Sequence, residues 1–131
     1  VIGIDTNVLV RFLVDDEPQQ NRAARRFFNE RTAEDPAYVS AIVIAETIWV
    51  LNKRLKYPMP VIMDVLHNLL AADGVVIEYA DELSALFGQA GPHGGLPDYF
   101  VAWSARAAGC GRTVTFDKTA ARKIPGMELL A

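Results

Sequence analysis

The chain opens on an apolar run that stops at a carboxylate, Val1-Ile2-Gly3-Ile4-Asp5-Thr6-Asn7. Three of its first four residues are β-branched and the other is Gly. Such a run reads as a strand buried on both faces, at the centre of a parallel sheet. The apolar segment Val8 to Val14 follows, so Asp5 stands where strand gives way to helix. In open α/β sheets that edge, at the carboxyl ends of strands, is where ligands bind. It is also where side chains cap helices, and Asp5 or Thr6 taken alone fits a cap as well as a ligand.

The same alternation runs along the chain. Asp15-Asp16-Glu17-Pro18 closes the first helix, and Gln19 to Arg31 reads as a second, with Arg22, Arg25, Arg26 and Arg31 as a basic face. A charge run of this kind is either a solvated face or a contact for phosphate or an acidic partner. Ala37-Tyr38-Val39 reads as a strand, and Ser40 as the N-cap of a helix from Ala41 to about Lys56. That helix is apolar nearly all round, which predicts burial, yet it carries Glu46 well past its first turn. Val61 to Ala72 reads as an amphipathic helix, Val75-Val76-Ile77 as a third, buried strand, and Asp81 to Ala90 as a further helix. Gly91 to Pro97 is turn-rich and reads as a mobile loop. Asp98 opens an Ala-rich helix, Tyr99 to Ala108, ended by Gly109. Arg112 to Phe116 reads as a fourth strand that again runs into an acid, Asp117. A short basic helix from Lys118 to Arg122 and a weak strand at Met127 to Leu130 complete the pattern. Strands alternating with helices define an α/β class with a mostly parallel sheet.

No repeat or linker divides the 131 residues, so they read as one domain, 1–131. With 51% apolar residues the chain can build a core without staples. Its single cysteine, Cys110, cannot form an internal disulfide, which favours a reducing, cytoplasmic setting. No apolar run approaches the ~20 residues of a membrane span, and no signal peptide is visible. The absence of an initiator Met suggests trimming at the start. A net charge of −3 argues against a broad phosphate-tracking surface but not against an enzyme that meets nucleic acid through a metal.

The acids carry the chemistry. Asp5, Asp98 and Asp117 each stand where a cap could. Glu46 does not, and a buried carboxylate must be compensated by an ion pair, for example with Lys53, or by a shared metal. Carboxylates that converge stay ionised together only if a cation joins them. Oxygen ligands favour Mg²⁺ or Mn²⁺ over Zn²⁺. His67 reads as a surface residue, and His93, in the glycine loop, as a group able to approach substrate. No HExxH, CxxC, P-loop or GxSxG motif is present.

Ile4-Asp5-Thr6-Asn7, Glu46 within its helix, Asp98 opening an Ala-rich helix and Thr115-Phe116-Asp117 after a late strand together resemble a PIN-domain ribonuclease. The ending Thr115-Phe116-Asp117-Lys118, followed by Pro125-Gly126-Met127-Glu128-Leu129, is similar to VapC-type toxins of bacterial toxin–antitoxin pairs. The resemblance covers the whole chain. It implies a three-layer sandwich with a five-stranded parallel sheet of order 3-2-1-4-5 and helices on both faces. It implies a Mg²⁺- or Mn²⁺-dependent endoribonuclease in which Asp5 and Asp117 bind the ion and Asp98 and Glu46 complete the cluster. The ion would activate water for in-line attack on the phosphodiester, leaving 5′-phosphate and 3′-hydroxyl ends. Asn7, Thr115 and Thr6 would orient the carboxylates, and Arg11, Arg25 and Lys118 are candidates for RNA contact. Expected partners are RNA, a second copy of the chain, and an antitoxin that wraps the toxin and inserts a basic side chain among the acids. Phe12, Phe28 and Trp49 would offer that antitoxin apolar area if they are not core. Many relatives carry a further acid just before the position of Asp98, where this chain has Gly94-Gly95-Leu96-Pro97, so a second ion would have fewer ligands. Two other classes fit less well. A non-catalytic PIN scaffold would be expected to lose at least one acid. A phosphoacceptor receiver domain would need an acid pair where the chain has Asp5-Thr6-Asn7.

Overall fold

The computed structural model describes residues 1–89 and 95–131. The chain divides into two compact units, Val1–Pro92 and His93–Ala131. Most of the glycine loop, with His93, lies outside the described residues, as does Ala90.

In the first unit, strands β1 (Ile2–Gly3), β2 (Ala37–Val39) and β3 (Val75–Ile77) form a parallel sheet in the order β1-β2-β3. Ile2 lies opposite Ala37, and Ala37 opposite Val75. Parallel neighbours need crossovers. Helices α1 (Thr6–Leu13) and α2 (Pro18–Asn29) join β1 to β2, and α3 (Ala41–Trp49) and α4 (Met59–Leu70) join β2 to β3. Helix α5 (Ala80–Phe87) follows β3. Local chemistry sets these boundaries. Pro18 and Pro60 sit in first turns, where the missing N–H costs nothing. The Ser40 hydroxyl accepts the Val43 N–H at 3.2 Å and starts α3. Gly74 has a φ of +74°, and a Cβ there would meet Arg31 at 3.0 Å, so the turn into β3 needs a glycine.

The core of this unit includes Leu9, Val39, Ile44 and Ile62, all fully buried. Each such side chain contributes about 1.5–3 kcal/mol through burial. Phe12 and Phe28 join α1 to α2, their ring centroids 4.4 Å apart. Three expectations change here. The opening strand is not buried on both faces, since Val1, Ile2 and Gly3 are exposed, and β3 is buried on one side only, with Ile77 inside and Val76 exposed. Among the described residues β1 pairs with β2 alone, and a β-branched run encodes a capacity for burial without supplying the second neighbour. Helix α3 is also not buried all round. Val43, Ile44, Thr47 and Ile48 form its buried stripe, while Ile42, Glu46 and Trp49 are exposed. Those spacings are two faces of one helix, so high apolar content masked an ordinary amphipathic arrangement. The α-helix gives way at Val50–Arg54 to a π-helical turn.

In the second unit, helix α6 (Leu96–Ala107) leads to strand β4 (Thr113–Thr115), helix α7 (Lys118–Lys123) and strand β5 (Met127–Leu129). The strands are parallel, with Thr113 opposite Met127 and Thr115 opposite Leu129. Ala102, Ala120 and Ile124 form a small core against which Tyr99 and Met127 pack. Helix α6 begins two residues before Asp98 rather than after it, because Gly95 adopts a left-handed conformation and Pro97 suits the first turn. Both runs of the expected strand order are therefore present, as two sheets among the described residues: 3-2-1 in one unit and 4-5 in the other. No described helix is long and apolar enough to cross a membrane.

Candidate functional site

Pairing beyond β1 continues through Ile4, whose N–H donates to Tyr38 O at 3.1 Å. The next residue, Asp5, is thus held at the end of a hydrogen-bonded strand. Its backbone is extended, and its Oδ1 accepts the Thr6 N–H at 2.8 Å. Asp5 is the N-cap residue of α1, and the bond to Thr6 occupies one carboxylate oxygen. A carboxylate has about four lone-pair sites, so this role leaves Oδ2 free to coordinate. Asp5, Asn7, Arg11 and Phe27 are among the residues lining a mainly apolar cavity of about 440 Å³. Arg11 is already engaged: its Nε donates to Gln20 at 2.7 Å and its Nη1 to Asp16 at 3.3 Å. Arg25 donates to the buried Asn21 at 3.0 Å. Thr6 is buried, and its hydroxyl has no partner among the described residues, so it orients no carboxylate here.

Glu46 is exposed, which removes the argument from a buried, uncompensated charge. Among the described residues it forms no ion pair with Lys53 within 4.0 Å. It is not among the residues lining the Asp5 cavity. An acid not marked by the sequence reading, Glu78, follows β3 and does cap: its Oε1 accepts the Ala41 N–H at 2.8 Å at the start of α3. Burial of the Tyr38 hydroxyl, and then the Glu78 carboxylate near it, push the tyrosine pKa above its usual value.

The second unit brings two of the marked acids together. Asp98 and Asp117 line one cavity of about 290 Å³, with Tyr99, Thr119 and Lys123. Asp117 caps α7: its Oδ1 accepts the Thr119 and Ala120 N–H groups at 2.9 and 3.0 Å. Thr115 Oγ1 accepts the Asp117 N–H at 3.0 Å, which fixes the backbone from which the carboxylate projects. Asp117 Oδ2 takes no part in the cap. Lys118 is exposed on the same short helix.

Within neither unit, among the described residues, do three acids, histidines or cysteines gather as a metal-binding group. The pair in the second unit still fits a hard cation. Mg²⁺ keeps several waters and is held by one or two carboxylates plus substrate phosphates. Among the described residues, no histidine or cysteine lines this cavity. Reasoning from sequence missed Lys123 and Tyr99. The usable signal was spacing, since Thr119 and Lys123 are four apart on α7 and Tyr99 adjoins Asp98.

Parallel strands joined by helices, with aspartates at the strand ends and two acids in one cavity, define an α/β protein with an acidic site. The family model for the PIN domain matches residues 2–125, and the chain belongs to that family. PIN domains are in general nucleases. No curated protein matches the chain.

Proposed function

We propose that this chain is a Mg²⁺- or Mn²⁺-dependent endoribonuclease and the toxin of a type II toxin–antitoxin pair. The observation that carries the reading is the cavity shared by Asp98 and Asp117, in which Asp117 uses Oδ1 for its cap and keeps Oδ2 for a ligand. Family membership supports the nuclease part, and the resemblance in the sequence supports the toxin part.

Asp117, Asp98 and Asp5 are the proposed ion-holding residues. Glu46 is assigned with them by its place in the family pattern alone, since burial no longer argues for it. The sheet order 3-2-1-4-5 belongs to the same proposal, and in that order the strands preceding Asp5 and Asp117 are neighbours. Its support is the two runs of the order that each unit contains. A bound Mg²⁺ or Mn²⁺ supplies an activated water and offsets charge on the phosphate. The protein's share is positioning. Thr115 holds the Asp117 backbone, and the caps hold Asp5 and Asp117 each by one oxygen, which leaves the other oxygen for the ion. A second copy of the chain and an antitoxin are the proposed partners, and Trp49, 57% exposed on α3, is available to them.

A non-catalytic PIN scaffold is the second reading. The observation on its side is that neither unit by itself gathers three acids among the described residues. One experiment separates the two: purified protein is incubated with RNA in Mg²⁺, Mn²⁺ or EDTA, beside Asp5→Asn. The nuclease reading expects cleavage with either ion and none in EDTA or with the variant. Cleavage that survives both EDTA and Asp5→Asn sinks the metal mechanism, and no cleavage under any condition favours the scaffold.

A further inference from the structure

We infer that Lys123 binds a backbone phosphate of single-stranded RNA in the cavity of the second unit and so sets the strand against Asp98 and Asp117. The inference rests on the nuclease reading and adds to it a substrate-positioning residue. Lys123 lines the same cavity as the two acids. Two carboxylates alone make a concave surface that repels a phosphodiester. A metal ion offsets part of that repulsion, and a fixed positive charge beside the acids offsets more of it and holds the strand in place.

Four of the arginines are already engaged, and Lys118, exposed on the same helix, is not among the residues lining the cavity. Arg11 is bonded to Gln20 and Asp16, and Arg25 to Asn21. Arg31 pairs with Asp35 at 3.0 Å and lies over the Phe27 ring at 4.5 Å. Arg112 pairs with Glu128 at 3.2 Å. Lys123 is exposed and, among the described residues, forms no ion pair within 4.0 Å. A cation at the last residue of a helix also suits the helix dipole, but that argument applies equally to Arg122. Arg122 is not among the residues lining the cavity. What separates the two is the face of α7: Lys123 stands four residues after Thr119, which shares the cavity. The ammonium is a compact charge on a flexible stem, able to follow a phosphate without a fixed bidentate geometry.

The test measures binding without turnover. A fluorescently labelled single-stranded oligoribonucleotide is titrated by anisotropy in EDTA over a range of salt concentrations, with wild type, Lys123→Gln, Lys123→Arg and Arg122→Gln. The expected result is a several-fold loss of affinity for Lys123→Gln. Its plot of log K against log salt should be shallower by about 0.7, the loss of one phosphate contact on a single strand. Lys123→Arg should retain the wild-type slope, and so should Arg122→Gln. An unchanged slope in Lys123→Gln, an equal loss in Arg122→Gln, or no binding by wild type would each overturn the inference. A parallel cleavage assay in Mg²⁺ keeps the two claims apart. Wild type that cleaves with a Lys123-independent salt slope refutes the lysine assignment alone. Wild type that binds through Lys123 but never cleaves refutes the nuclease reading alone.

Discussion

The two units use the same device to different ends. In each, a parallel strand runs into an aspartate that becomes the N-cap residue of a helix. Around Asp5 the cavity is mainly apolar and its arginine is already engaged by Gln20 and Asp16. Around Asp117 the cavity holds a second acid and a lysine that forms no ion pair among the described residues, and a threonine secures the aspartate's own backbone. A strand that stops on an acid is therefore a way to place a carboxylate, and the neighbours decide what the carboxylate does. Glu78 makes the point from the other side, since it too follows a strand and its described bond is to the start of α3.

The largest expected effect tests whether the two aspartates are equivalent. Asn caps as well as Asp, so Asp5→Asn and Asp117→Asn keep their helices and lose only the charge. Both should lower RNA cleavage by more than about 100-fold, beyond the usual cost of disturbing an outer partner of a metal ligand. If only Asp117→Asn does so in a steady-state assay, Asp5 is a cap alone and its proposed ion-holding role fails. The threonines come next. Thr115→Val removes the acceptor that holds the Asp117 N–H and should weaken Mn²⁺ binding about 10-fold, measured by calorimetry. Equal Mn²⁺ affinity in the variant would show that Thr115 is only a turn residue.

Smaller effects concern stability. Asp117→Ala should cost about 1 kcal/mol in urea denaturation, since two N–H groups lose their acceptor. Asp5→Ala should cost less, because Asp5 accepts from one N–H only. A reversed order in the two midpoints would contradict the capping roles drawn from the geometry. The smallest effect is at Thr6. Its hydroxyl is buried without a partner among the described residues, so Thr6→Val should be neutral or stabilising by up to about 1 kcal/mol. A clear loss of stability would reveal a bond to that hydroxyl.

Much of the local structure was legible in the chain. The apolar segment Ala37 to Val39, the β-branched run at Val75 to Ile77 and the Ser40 cap are short-range signals, and each stands in the structure where its chemistry put it. The Thr115-Phe116-Asp117 motif was legible in the same way, because the turn that orders it involves adjacent residues. Glu46 was not. Its exposure depends on which side of α3 meets the rest of its unit, and an apolar helix with hydrophobic residues on both faces does not say which side that is. Lys123 was overlooked because one lysine among thirteen basic residues carries no motif. Its position beside Asp98 and Asp117 depends on how α6 and α7 pack.

The sequence by itself determined the alternation of strand and helix, the acids at strand ends and the membership of the PIN family. These rest on local backbone preference and on a pattern of residue types along the chain. The tertiary structure decided which acids share a cavity, which cations remain unpaired and which face of α3 is solvated. Such facts depend on contacts between residues far apart in sequence. For the carboxylates and lysines of this chain, those contacts separate a helix cap from a ligand.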